Sequence, residues 1–316
     1  MIEEIIIFGS IQSGLYALLA LGFTLIYGIA GVVNLAHGSF YMLGAYVFYV
    51  FGGSLLAEYI MDFLSLYLGL DTAAASLWAS LLILVLAVLF VAFIGSVVYR
   101  FTMHLVLGDE VALMVVTVCI ALIFQQIILL IFGPTFPRVA WPEGTFLTES
   151  TLLLGVTLQY SRALAFAVSL ALFLGLLLFI TKTKIGKAMR AVSQDREVAM
   201  LMGVNTERLY MLTMAISAML AAVASILITT TTTQSAGAWM WLHPLALSFS
   251  IVILGGLGSI KGSLIGGFII GFAEQTVAIT VPEGGGIIGV IPLAVMVLVL
   301  LIRPKGLFGK RIEMED

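Results

Sequence analysis

The chain has 316 residues, of which 62% are hydrophobic and only 10% charged, with a mean hydropathy of +1.20. A soluble domain carries roughly a quarter of its residues as charges, so a water-soluble enzyme or binding module is excluded and a polytopic membrane protein is indicated. The formal net charge of -3 says little, because in a bilayer the side on which charges sit matters more than their sum.

The N-terminus, Met1 to Glu4, carries acids and no base ahead of its apolar run. A secretory signal needs a basic region there, so this segment is expected to stay as structure. Ile5 to Ile29 is long enough to span roughly 30 Å of hydrocarbon at about 1.5 Å per residue. Between Tyr27 and Val47, Gly28, Gly31, Asn34, His37, Gly38 and Ser39 interrupt the apolar pattern, which resumes through Phe40 to Leu56. Two readings stand: a broken helix beside a pathway, with polar backbone tolerated because protein buries it or a cavity wets it, or an ordinary turn between spans one and two.

Ala57 to Ala75 holds Glu58, Asp62 and Asp71 and no base; Ser76 to Tyr99 makes a third span ending at Arg100. A fourth span, Val111 to Phe132, carries Gln125 and Gln126. Gly133 to Ser161, with Pro134, Pro137, Trp141 and Pro142, reads as an external loop holding a short hairpin or an interfacial helix, with Trp141 and Tyr160 suited to an aromatic belt. Ala163 to Ile180 is span five.

The longest basic, water-compatible stretch follows, Thr181 to Arg208. Lys182, Lys184, Lys187 and Arg190 are anchors for a positive inner face. Beyond them, Ser193 or Asp195 can cap a short helix over Arg196 to Met202, which Gly203 closes in a left-handed conformation. That helix offers Val198, Ala199, Leu201 and Met202 from a solvated loop, so it is expected to dock on something.

Leu209 to Ile228 is span six, and the threonine run Thr229 to Thr233 has no clear structural reading. Trp239, Trp241, His243 and Pro244 mark another outer interface. Leu245 to Gly255 and Gly255 to Glu274 give spans seven and eight around a glycine-rich turn containing Lys261. An external turn at Pro282 to Gly286 leads to span nine, Ile287 to Ile302. The expectation is an all-α protein with about nine transmembrane helices, eight to ten, in one transmembrane domain over 1–316.

With nine crossings and the N-terminus outside, only Arg138 and Arg162 of the 14 Lys and Arg residues fall outside, and the C-terminus is cytoplasmic. That is the positive-inside bias in strong form.

No catalytic site is evident. His37, His104 and His243 are scattered, and Cys119 stands alone, so no metal framework is expected. Neither Lys261, which follows Ile260, nor Lys187, which precedes Ala188, sits in a phosphate loop. If ATP drives this chain, a partner binds it.

Gly258, Gly262 and Gly266 recur every four residues, and close helix packing is favoured over a substrate role. Glu274 is the one acid inside an expected span, where a carboxylate costs roughly 2.5–3.5 kcal/mol. A Glu hydrogen-bonded between helices or near the outer interface is favoured over a proton relay.

Three separated motifs now point to a family. GLYALLALGFTLIYGIAGVVNLAHGSFYMLGAYV (14–47), IGKAMRAVSQDREVAMLMGVNTER (185–208) and ILGGLGSIKGSLIGGFIIGFAE (253–274) resemble the LivH-type permeases of branched-chain amino acid ABC importers. The resemblance covers nearly the whole chain. It implies a multi-pass subunit of the bacterial inner membrane, pairing with a second, LivM-like permease, two cytoplasmic ATP-binding subunits and a periplasmic amino-acid-binding protein. It implies no cofactor of its own, ATP being used by partners, and contacts with lipid but not nucleic acid. It further implies that 181–208 is the ATPase-coupling loop, through Gly186, Arg190, Ala191, Asp195, Ala199 and Gly203. Asn34, His37 and Gly38 are expected as pathway or hinge residues. Permeases for urea, short amides or a sugar, and a stand-alone secondary transporter or channel, are the rival readings.

Overall fold

The computed structural model describes residues 1–134, 137–141, 146–153, 155–232, 236–281, 288–303 and 306–308. Lys305, Lys310, Arg311, Pro142, Thr233 and the turn expected at 282–286 lie outside them. Among the described residues twelve α-helices run in chain order: α1 (Ile2–Ala30), α2 (His37–Gly52), α3 (Leu55–Leu68), α4 (Thr72–Phe101), α5 (Glu110–Phe132), α6 (Tyr160–Lys182), α7 (Lys184–Gln194), α8 (Arg196–Leu201), α9 (Thr206–Thr232), α10 (Leu242–Gly255), α11 (Ile260–Thr280) and α12 (Ile291–Ile302). A two-stranded antiparallel hairpin, β1 (Ser150–Leu153) and β2 (Val156–Gln159), sits in the loop before α6, so the fold is helical with one small hairpin. Of the two expectations for that loop, the hairpin is what forms.

Among the described residues, six helices are long and apolar enough to cross a membrane: α1, α4 with the 3-10 turn after it, α5, α6, α9 and α11. They are seven if α2 and α3, bent by 58° at their break, count as one span. The expected spans two, seven and nine are shorter helices. α10 has 14 residues and α12 has 12, about 21 and 18 Å long where roughly 30 Å is needed. Apolar composition identified these segments but not their helix length, because hydropathy cannot tell a helix from apolar chain running beside one.

α1, α2 and α9 form the buried centre, with α11 and α10 packed against α1. α1 is enclosed from Leu15 to Leu25, whereas α4, α5 and α6 show Leu, Phe and Ile side chains to the outside, as lipid-facing helices do. Glycines set how closely the centre packs. A Cβ on Gly267 would strike the backbone of Ala17, and one on Gly271 that of Ser13, so α11 lies against α1 nearly backbone to backbone. Gly262 and Gly266 do the same against Gly255 and Ile251 of α10. Gly258 departs from the expected stripe: it lies in the turn before α11 at φ 77° and touches Gly28 of α1. Lys261 is likewise inside α11 rather than in the turn.

Thr229 to Thr232 of the threonine run are helix. The hydroxyls of Thr229, Thr230, Thr231 and Thr232 each donate to the carbonyl four residues back, at 2.6–2.7 Å, so residues that disfavour a helix are satisfied within it and carry α9 to Thr232. α4 starts at Thr72, earlier than expected, because Asp71 accepts from the amide of Ala74 and caps it. Two tryptophans expected at an interface are instead core. Trp141 is 5% exposed and packs edge-on against Phe48, and Trp241 is 5% exposed with its Nε1 donating to Gln125 Oε1 at 2.6 Å.

Basic residues gather at one end of the bundle. There Arg100 pairs with Glu207, and Arg190, Lys261, Thr181 and Ser259 line one groove. Residues 306–308 reach the same end, where the amides of Leu307 and Phe308 donate to the last carbonyls of α10. The hairpin, Arg138 and Arg162 belong to the opposite half of the chain's passes.

Candidate functional site: a central cavity and a basic-end helix pair

The residues of the basic stretch fold into two short helices, where one was expected. Thr183 leaves α6 in an extended conformation and its Oγ1 accepts from the amide of Gly186, starting α7. α7 turns so sharply over the end of α6 that a Cβ on Gly186 would meet the backbone of Phe179 and Ile180, which explains glycine there. Met189 and Val192 face the bundle, while Lys184, Lys187, Arg190 and Ala191 face out. Arg190 also donates to the carbonyl of Thr181.

Asp195, not Ser193, caps α8, accepting from the amide of Val198 at 2.9 Å. Gly203 closes it at φ 83°, with the Val204 amide donating to Ala199 O at 3.1 Å. This is the paired hydrogen-bond closure that a left-handed residue permits. Ala199, expected to be offered for docking, is buried at 4% exposure; Val198, Leu201 and Met202 are exposed, the last two at 86% and 80%. A helix one and a half turns long has room for one inward contact, and the small alanine takes it.

Asn34, His37 and Gly38 come together at the start of α2, deep in the protein. α1 ends at Gly31, φ 70°. The chain then runs back along α1, so that His37 Nε2 donates to the carbonyl of Leu19, about 16 Å in from Ala30. His37 Nδ1 pairs with the Ser217 hydroxyl, and Asn34 Oδ1 accepts from the amide of Ala36 at 3.0 Å. Leu35 N donates to Thr117 Oγ1. Irregular backbone thus enters the bundle, with the amides of Leu35 and Ala36 donating to Thr117 and Asn34. Gly38 abuts the carbonyl of Trp241, so the first residues of α2 and α10 meet inside the core. All three residues are buried, and none of them lines the cavity described next.

That cavity, about 520 Å³, opens between α1, α2, α9, α10 and α11. Gln12, Tyr16, Tyr41, His243, Glu274 and Gln275 supply its polar lining; Leu19, Ile228, Met240, Pro244, Leu247 and Ala278 supply apolar wall. Glu274 is 3% exposed; its Oε2 accepts from the Tyr16 hydroxyl at 2.5 Å, and its Oε1 has no partner among the described residues. Below the cavity, toward the basic end, Phe23 stands edge-on to His37 at 5.7 Å and to Phe249 at 6.0 Å. Thr24 and Ser263 are hydrogen-bonded in the next layer. A second space of about 520 Å³ lies on the basic side, lined by Tyr27, Gly28, Val192, Arg196 and Gly258. Two spaces with polar lining thus stand on either side of an aromatic layer. Sequence reasoning missed Gln12, Tyr16, Tyr41 and His243; the pair Gln12 and Tyr16, four apart in an apolar span, was the available signal.

Residues 5–301 match the model of a family described as branched-chain amino acid transport system / permease component. The chain belongs to this family. The permease is 31% identical over 303 residues to the high-affinity branched-chain amino acid transport system permease protein BraD of Pseudomonas aeruginosa, covering 93% of this chain and 92% of the relative. It is 30% identical over 299 residues to LivH of Salmonella typhimurium, described in the same words, at 93% and 91% coverage. It is 30% identical over 330 residues to a probable branched-chain amino acid transport permease protein LivH of Methanocaldococcus jannaschii, at 97% and 93%. A solved structure, PsaBC from Streptococcus pneumoniae in complex with Fab, aligns over 96% of this chain and 97% of its own with TM-score 0.47 and 15% identity, a likeness too loose to build on. Family and apolar helices together make the permease a multi-pass protein of the inner membrane.

Proposed function

We propose that this permease carries branched-chain amino acids inward as one of two membrane subunits, with ATP bound and hydrolysed by cytoplasmic partners. The supporting observation is the α7–α8 pair: a capped, glycine-closed helix that buries Ala199 and leaves Leu201 and Met202 in the open at the basic end. Exposed apolar side chains on a helix flanked by Lys and Arg have a use when another protein covers them. Gly186, Arg190, Ala191, Asp195, Ala199 and Gly203 build that pair, so they are assigned to coupling by shape, not by contact with substrate.

The orientation follows from the charges. The basic end faces the cytoplasm, the N-terminus lies outside, and the chain makes nine passes. The rest of the machine, by this reading, is a LivM-like permease, two ATP-binding subunits and a periplasmic binding protein. Asn34, His37 and Gly38 act as the hinge at which α2 and α10 pivot, without touching the solute.

Purification from native membranes in mild detergent, followed by mass spectrometry, tests the assembly. Two ATP-binding polypeptides and a second permease are expected, and ATP-dependent leucine uptake by that complex in proteoliposomes. A chain that purifies alone and transports without ATP would overturn the reading in favour of a stand-alone transporter.

A further inference from the structure

We propose that the groove between α1, α6, α7 and the start of α11 binds an anionic phospholipid of the leaflet at the basic end, with Arg190 and Lys261 holding its phosphate. The inference is independent of the transport reading and needs only that the chain spans a membrane.

The groove, about 270 Å³, offers one kind of surface to a headgroup and another to an acyl chain. Leu25 and Ile29 of α1 and Leu177 and Ile180 of α6 supply apolar wall, while Arg190, Ser193 and Lys261 supply polar groups. Leu177 and Ile180 lie in the closing turns of α6, a helix that ends at Lys182 and is long and apolar enough to cross a membrane. The groove therefore stands where that helix leaves the hydrocarbon. Leu170, Leu174 and Leu177 follow one another at helical spacing along one side of α6, and the first two are exposed. They give an acyl chain an apolar track leading from the groove into the bilayer. A wall formed by a membrane span favours a lipid over a soluble subunit.

Charge decides which lipid. Arg190 and Lys261 are both exposed and have no ion-pair partner among the described residues, and no Asp or Glu lines the groove there. Lys261 also stands in the first turn of α11, where the positive end of the helix disfavours a cation. An anionic headgroup relieves both charges, and basic pockets between membrane helices bind such headgroups. A zwitterionic headgroup brings a cation of its own, which the same two residues repel.

The test is binding of phosphatidylglycerol and of phosphatidylcholine with identical acyl chains to the tagged permease, purified with its accompanying subunits in mild detergent and read by native mass spectrometry. Wild type is expected to prefer phosphatidylglycerol by about twenty-fivefold, since each of two cations near an anionic headgroup contributes about fivefold. Lys261→Gln is expected to reduce that preference about fivefold. Arg208→Gln removes an exposed base of α9 at the same end but outside the groove, and is expected to keep the wild-type preference. Equal binding of the two lipids by wild type, or as large a loss in Arg208→Gln as in Lys261→Gln, overturns the proposal. So does release of accompanying subunits from Lys261→Gln with the lipid preference intact, which would give the groove to a protein partner.

Discussion

The carbonyl of Trp241 lies against the α-carbon of Gly38, so the first turns of α2 and α10 touch through backbone inside the bundle. Two helices that begin within the protein, not at its surface, meet at a residue without a side chain. Gly38→Ala is therefore expected to push these helices apart, with Leu245 crowded as well. The cost is about 1–3 kcal/mol, as for overpacking of a filled core. A lowered midpoint in a thermal assay of the detergent-solubilised complex would show it; an unchanged midpoint would mean that α2 and α10 yield freely.

His37 joins α1 and α9 to α2 through both ring nitrogens, bonding Leu19 O and the Ser217 hydroxyl. His37→Phe preserves the bulk beside Phe23 but leaves the Ser217 hydroxyl without its partner, at about 1–3 kcal/mol. Uptake is expected to fall together with thermal stability, because the residue acts on packing. A loss of uptake at full stability would instead mean direct work on the solute.

Gly203 stands at φ 83°, where a β-branched side chain is strained. Gly203→Val is expected to open the last turn of α8 at about 1–2 kcal/mol locally, uncoupling ATP hydrolysis from uptake while membrane insertion is normal. Normal uptake in this variant would remove α8 from the coupling step.

Leu201 and Met202 point away from the permease at 86% and 80% exposure. Replacing both with Glu should leave thermal stability within about 0.5 kcal/mol, as surface changes do. Recovery of the ATP-binding subunits on the tagged permease should drop about tenfold or more if these are anchor residues. Full recovery would place the docking face elsewhere, on the basic surface of α7.

The capped helix of the basic stretch was legible because its signals are local. Asp195, the apolar run to Met202 and Gly203 are neighbours in sequence, and caps and left-handed closures depend on neighbours. The burial of Ala199 was not legible, since which side of a six-residue helix turns inward depends on where α9 begins beneath it. Glu274 was conspicuous as an acid in an apolar segment, but its meaning was not, because Tyr16 lies 258 positions away. Of the expected glycine stripe, Gly262 and Gly266 lie against α10 while Gly258 stands in the turn before α11, and Gly267 and Gly271 lie against α1. That division between two helices required the third dimension.

By itself, the sequence determined the membrane class, the basic bias toward one end, the capped helix of the basic stretch and the family, because hydropathy, charge sidedness, capping and motif order are written along the chain. The tertiary structure decided the rest. It made α2, α10 and α12 shorter helices than a straight crossing needs, carried Thr229 to Thr232 into α9, withdrew Trp141 and Trp241 from the surface, and buried His37 between α1 and α9. Each of these depends on which distant segment fills the space or accepts the hydrogen bond, and in a bilayer, where water cannot take an unpaired backbone group, that neighbour determines whether a polar segment can enter at all.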